Sequence, residues 1–207
     1  MRELCASRQP YTVLTHEGSG IDCIPAKLAR RGYTTIAYNG FSGRFFDLRL
    51  WYPRVGFQQM YFGEELQSKM ARTCGSVWLG ACDIDVANEV AATLKAQDGP
   101  SMVYWLTLNT HIPISPGEGT PRYGCNTTAS VFSDPEVCWM AEMWTDIMES
   151  IARIALDPAL PPMAILVAGD HAPPLYSRKA RRLFRPGEVS WVSLWPRAET
   201  IGASSAN

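Results

Sequence analysis

The sequence predicts an α/β fold, a largely parallel sheet with helices on both faces, and three observations lead there. Helix-like and strand-like periodicities alternate along the chain. Met102 to Leu108 (MVYWLTL) is almost continuously apolar, as a central parallel strand covered on both faces should be. The 207 residues, 46% of them hydrophobic, suffice for one core of that class, and the whole of 1–207 reads as a single domain.

In CIPAKLARRGY, Ile24 and Leu28 stand one turn apart and Gly32 ends the run, a short helix. Tyr33 to Tyr38 (YTTIAY) is β-branched and aromatic and breaks at Asn39-Gly40, a strand. Asp83 or Asp85 caps a second helix through about Ala96, with Ala87, Val90, Ala91 and Leu94 on one face; Asp98-Gly99-Pro100 ends it. Met102 to Leu108 follows, then Asn109 to Asp134, an irregular excursion of a length that means function or disorder. Asp134-Pro135 opens the longest helix. Its Val137, Met140, Trp144, Ile147, Met148, Ile151 and Ile154 recur at helical spacing and read as core. Beyond Pro158 to Pro162, Met163 to Ala168 is a second buried strand and Val189 to Trp195 a third, with Trp191 and Trp195 of like parity read as core.

Lys+Arg 19 against Asp+Glu 20 leaves a net charge of −1, so no excess field exists to grip a polyphosphate backbone, and nucleic acid is not an expected partner. No stretch approaches the ~18 apolar residues of a membrane span, and MRELCASRQP lacks the apolar core of a signal peptide. The six cysteines nevertheless fall in near neighbours. Proximity alone favours 5–23, 74–82 and 125–138 among the 15 connectivities that six allow, and disulfides point to an oxidising compartment. Reduced thiols in a cytosolic core are the alternative; a zinc ribbon is disfavoured because no CxxC occurs.

Ligands of parallel sheets sit beyond the carboxyl ends of the strands. Two such ends carry similar punctuation: MVYWLTL runs into Asn109-Thr110-His111-Ile112-Pro113, and MAILVA into Gly169-Asp170-His171-Ala172-Pro173-Pro174. Asp170 offers a hard anionic oxygen and His171 a borderline nitrogen, a pair that suits Zn²⁺ or Mn²⁺ better than Ca²⁺. Taken alone, each pair also fits a blander role, a carboxylate capping a helix or an imidazole satisfying a carbonyl.

LTLNTHIP, followed by VAGDHAPP and preceded by GYTTIAYNGFSGRFFDLRLWYPRVGF, resembles the sulfatase-like branch of the alkaline phosphatase superfamily over nearly the whole chain. The phosphoglycerol and phosphoethanolamine transferases that modify cell-envelope polymers look most similar. The resemblance implies an alkaline phosphatase-like fold and a metal-dependent transferase or hydrolase of phosphate or sulfate esters on envelope glycans or lipids. It implies that Asp170 and His171 bind the divalent metal, Zn or Mn. It implies that His111 is catalytic, contacting the phosphoryl group of the substrate or a second metal, and donating to the anionic oxygens or protonating the leaving group, and that Phe46 and Arg49 line the substrate site. A family-like arginine would stand where Leu48 is, so Arg49 or Arg44 substitutes for it. The expected partner is an anionic phosphate or sulfate ester. The expected location is extracytoplasmic, on the periplasmic or cell-surface side, with any membrane anchor upstream of the chain.

The sequence departs from the family at its start. The family's nucleophilic Thr or Ser precedes a segment similar to RELC, and an acidic ligand sits on a still earlier strand, so both are expected to lie before Met1. The chain is thus expected to be a truncated domain with no nucleophile of its own, a weak metal binder and a poor catalyst. Thr12, Thr15, Glu17 and Ser19 do not stand in the matching place, and His16 reads as a loop residue. The rival reading is a noncatalytic extracytoplasmic anion- or glycan-binding domain of the same fold; a third is a disulfide-bonded structural domain without metal. Asn126-Thr127-Thr128 is a glycosylation sequon that matters only in a eukaryotic secretory protein. Lys179 to Arg185 (KARRLFR) reads as a solvated basic turn or an attractor of anionic substrate or lipid head groups.

Overall fold

The computed structural model describes residues 4–5, 23–70 and 72–196; His16, Thr12, Thr15, Glu17 and Ser19 lie outside them. In chain order the elements are α1 (Ile24–Ala29), β1 (Thr34–Asn39), α2 (Leu48–Val55), β2 (Gln59–Tyr61), α3 (Gly63–Leu66), β3 (Thr73–Cys74), β4 (Gly80–Ala81), α4 (Asp83–Lys95), β5 (Ser101–Leu106), α5 (Pro135–Leu156), β6 (Ile165–Ala168), α6 (Arg178–Arg181) and β7 (Trp191–Leu194). A 3-10 turn, Phe45–Asp47, leads into α2.

β1 lies between β2 and β5, parallel to both, with Ile36 opposite Gln59 and Val103. Side chains of a strand alternate between faces, and both faces here are covered. Ala37 packs with Trp51, Tyr52 and Val55 of α2. Ile36 and Tyr38 pack on the opposite face with Val86, Ala87 and Val90 of α4 and Ile154 of α5. Helices on both faces of a parallel sheet are therefore present, as the sequence predicts. The Tyr38 hydroxyl adds a 2.6 Å hydrogen bond to Thr93.

Within that frame the strands differ from expectation in two respects. Met102 to Leu108 is not the central strand: β5 has a hydrogen-bonded neighbour on one side only among the described residues, and it is half-buried throughout. Met163 to Ala168 and Val189 to Trp195 are not buried strands of the parallel sheet. β6 and β7 pair antiparallel with one another, Ile165 opposite Leu194, and Leu166, Trp191 and Trp195 are exposed. An apolar run signals a strand without fixing how many of its faces are covered. On α5 the expected stripe is buried at Val137, Met140, Ile147, Ile151 and Ile154, but Trp144 and Met148 share an exposed flank.

The disulfides are Cys5–Cys23, Cys74–Cys82 and Cys125–Cys138, the pairing that proximity favours. The last ties the long excursion to α5, and polar contacts complete the attachment. Buried Glu142 accepts from the amides of Arg122 and Tyr123, at 2.8 and 3.2 Å. Buried Asp146 accepts from the Thr120 amide at 2.9 Å and from the Arg122 guanidinium at 2.6 Å. At Gly119 a Cβ would come within 2.9 Å of the Glu142 Cβ, so the chain lies directly on the helix. Asp134 caps α5 by accepting from the amides of Glu136 and Val137. Removing the guanidinium leaves Asp146 buried with only Thr120 to donate to it, a costly state. In limited proteolysis, Arg122→Ala is expected to open the excursion to chymotrypsin at Tyr123 and Phe132, sites expected to stay uncut in the wild type.

Candidate functional site

The carboxyl ends of β1 and β5 meet near β4. Gly40 follows β1 directly, its carbonyl accepting from the Ala81 amide of β4 at 2.8 Å, and a Cβ there would stand 2.7 Å from the Ala81 oxygen. The Asn39 side chain joins the two strand ends, accepting from the Phe41 amide and donating to the Leu106 carbonyl.

The end of β5 is fixed by Asp83. Its carboxylate, 1% exposed, accepts from the amides of Leu108 at 2.9 Å and Asn109 at 2.6 Å, and the Asn109 side chain accepts from the Asp83 amide at 2.7 Å. The sequence reading gave Asp83 or Asp85 the role of helix cap. Instead Cys82 holds the cap position of α4, and Asp83 reaches across to hold the turn that carries His111. Burial pushes the Asp83 carboxyl up to about 7, and the amides of Asn109 and Leu108 pull against that rise.

His111 and His171 come together because their loops share one apolar cluster. Ile112 and Ile114, after His111, and Leu175 and Ala180, after His171, pack on Val137, Met140 and Met143 of α5. The imidazoles then stand edge to face with centroids 6.0 Å apart. The Nδ1 of His111 lies 2.6 Å from the Ile112 carbonyl and that of His171 lies 2.9 Å from the Ala172 carbonyl. A carbonyl only accepts, so each ring carries its proton on Nδ1 and presents a lone pair at Nε2.

That arrangement fits a metal at Asp170 and His171. The Asp170 Oδ2 is 3.5 Å from the His171 Nε2. Two donors each about 2.0–2.1 Å from a tetrahedral zinc lie about 3.3 Å apart, so one ion can bridge them. A backbone carbonyl on the opposite ring nitrogen is the usual support of a ligating histidine. The cluster Cys125, Cys138 and Glu142 has the spacing of a ligand set, but its two sulfurs are joined as a disulfide and offer no thiolate.

An aromatic row continues from His111. Trp78 meets the His111 ring at 5.4 Å and donates to the Ile112 carbonyl; Phe45 meets Trp78 at 5.1 Å, and Phe46 meets Phe45 at 4.2 Å. Phe46 is 67% exposed, with a φ of 49° that a bulky side chain rarely adopts. Arg49, expected beside it, is not brought to the histidines. Its guanidinium pairs with Glu65 at 2.8 Å and Glu64 at 3.4 Å and lies over the Phe62 ring. Arg44, in the same loop as Phe45, is exposed and has no carboxylate partner among the described residues.

Asp83 and Trp78 are the residues the sequence reading did not assign to the site. Trp78 stands inside CGSVWLGAC, a loop closed by Cys74–Cys82, and that closure was the available signal. Asp83 gave none, since an acid at a helix start reads first as a cap.

A family model described as Sulfatase matches residues 3–193. Three solved structures are similar to the chain. The lipoteichoic acid synthase LtaP from Listeria monocytogenes has a TM-score of 0.57 at 18% identity, over 73% of this chain and 37% of that one. A protein in the alkaline phosphatase superfamily from Vibrio parahaemolyticus gives 0.58 at 14%, over 84% and 41%. The Streptococcus pyogenes phosphoglycerol transferase GacH, in complex with sn-glycerol-1-phosphate, gives 0.52 at 17%, over 73% and 40%. The chain thus spans about two fifths of their length, and the likeness establishes the fold. No curated protein matches.

Asp83→Ala orphans the buried amides of Leu108 and Asn109, at an expected cost of about 2–4 kcal/mol. An unfolded aspartate titrates near 3.9, so the folded protein binds the extra proton between about 4 and 7, and this carboxyl's contribution to stability falls as pH rises through that window. Urea unfolding should therefore show the cost of Asp83→Ala greatest near pH 4 and smaller by pH 7.

Proposed function

The chain belongs to the sulfatase family, whose model spans residues 3–193, and from that premise we propose that it carries part of the site of a metal-dependent transferase or hydrolase of phosphate or sulfate esters. The substrate class is an anionic ester on an envelope glycan or lipid head group. The observation that carries the reading is the apolar cluster on α5, which sets the His111 ring 6.0 Å from the ring of His171. Family membership supports a divalent metal, and the donor set of Asp170 and His171 fits zinc or manganese.

In this reading Asp170 and His171 would hold the ion. When bound, it supplies positive charge to the ester oxygens as negative charge builds on them. The Ala172 carbonyl keeps the His171 proton on Nδ1 and so keeps the ligating lone pair available. His111 acts on the substrate: with Nδ1–H held by the Ile112 carbonyl, Nε2 takes up a second proton and donates it to a phosphoryl oxygen or to the leaving-group oxygen. Phe46 and Trp78 wall the substrate side. Arg44 is a better candidate than Arg49 for the arginine that meets the anion, because the charge of Arg49 is already matched by Glu64 and Glu65. Among the described residues no hydroxyl hydrogen-bonds to either imidazole, and the reading assigns the nucleophile to none of them. Three disulfides fit an extracytoplasmic location.

Zinc or manganese at about a hundredfold excess over its Kd is expected to stabilise the wild-type chain by about 2.7 kcal/mol in thermal unfolding. Asp170→Ala and His171→Ala should abolish that gain and His111→Ala should retain it. In the metal-loaded chain, glycerol phosphate should shift the His111 ring resonances. A metal effect that survives both Asp170→Ala and His171→Ala would refute the assignment.

A further inference from the structure

Between β6 and β7, seven residues beyond His171, the chain turns through α6 and exposes five cationic side chains in eight positions, 178–185. Arg178, Lys179 and Arg182 have no carboxylate partner among the described residues; Arg181 donates to the Leu175 carbonyl, and Arg185 faces Glu188 at 3.5 Å. The other nearby acid, Glu136, is engaged with the Tyr176 amide. The chain as a whole has a net charge of −1, so this positive field is local.

Apolar side chains interleave with the charges. Leu183, inside the run, is 64% exposed. Phe184 meets the Trp144 ring at 6.4 Å, and Trp144 and Met148 form the exposed flank of α5 beside it. A solvated basic turn has no use for uncovered Leu and Trp side chains, and a groove for a soluble polyanion needs only the charge. Cations around an exposed apolar and aromatic surface match the layering of a bilayer interface, with anionic head groups outside and acyl chains beneath.

We propose that α6, the turn after it and the flank of α5 form a peripheral docking surface for an anionic lipid bilayer. Asp170 and His171 share the β6–β7 excursion with this surface, so docking holds that excursion at the lipid interface. The inference stands on exposure and charge and does not depend on metal binding.

The test is flotation of the chain with vesicles of phosphatidylcholine mixed with phosphatidylglycerol, against vesicles of phosphatidylcholine alone. The wild type should float with the anionic vesicles and not with the neutral ones. Each interfacial cation contributes about fivefold to partition, so the triple variant Arg178→Gln, Lys179→Gln, Arg182→Gln should lose about 100-fold. Leu183→Ser should lose about tenfold. None of these side chains makes an ion pair among the described residues, and unchanged circular dichroism and unfolding midpoints control for folding. Absence of flotation by the folded wild type, or equal flotation with neutral vesicles, overturns the proposal. So does vesicle binding that soluble polyphosphate competes away while Leu183→Ser binds like wild type, since the surface would then recognise a polyanion and no bilayer.

Discussion

Ile112 and Ile114 from one strand-end loop, and Leu175 and Ala180 from another, pack together on Val137, Met140 and Met143 of α5, and the candidate site depends on that contact. β5 and β6 belong to different sheets, so strand pairing does not set the distance between His111 and His171. The helix does. Its far end is seated by Ile154 against the sheet and by the 2.7 Å ion pair between Asp157 and Lys95 of α4. Its near end carries both loops, and the burial of apolar surface there converts a helix position into the separation of two imidazoles.

A second constraint acts on the turn itself. Asp83 lies at the start of α4, yet its carboxylate satisfies the amides at the end of β5, so α4 and the His111 loop are connected through one buried acid. Burial opposes the ionised form while the amides favour it, and the carboxyl is pushed up to about 7. The two histidines need a different kind of control. Each is oriented by the carbonyl of the residue that follows it, so the chain positions both lone pairs without a second side chain.

Much of this was legible in the sequence for identifiable reasons. The helix that stops at Ala29, with Gly32 in the turn beyond it, and the one that begins at Asp134-Pro135 are fixed locally, by caps and breakers. Near-neighbour cysteines paired because short loops close easily. The strand-end position of His111, Asp170 and His171 followed from apolar runs ending in Asn, Gly and Pro. What the sequence did not reveal depends on partners distant in the chain. Whether β6 joins the parallel sheet or pairs with β7 is decided by tertiary contacts, and the apolar run is the same in either case. Trp191 and Trp195 read as core for their size and parity but face outward in β7 and just beyond it. The resemblance implied Arg49 as a substrate ligand, and its pairing with Glu64 and Glu65, some fifteen residues further along the chain, appears only in the fold.

The candidate site requires that His111 and His171 form one oriented pair. Nitrogen-correlated NMR of the histidine rings in the folded chain reports both features at once. The structure predicts that both rings are Nδ1–H tautomers and that their ring protons give a cross-relaxation peak, as centroids 6.0 Å apart require. An Nε2–H tautomer at either ring, or no cross-peak between them in a chain that is otherwise folded, would contradict it.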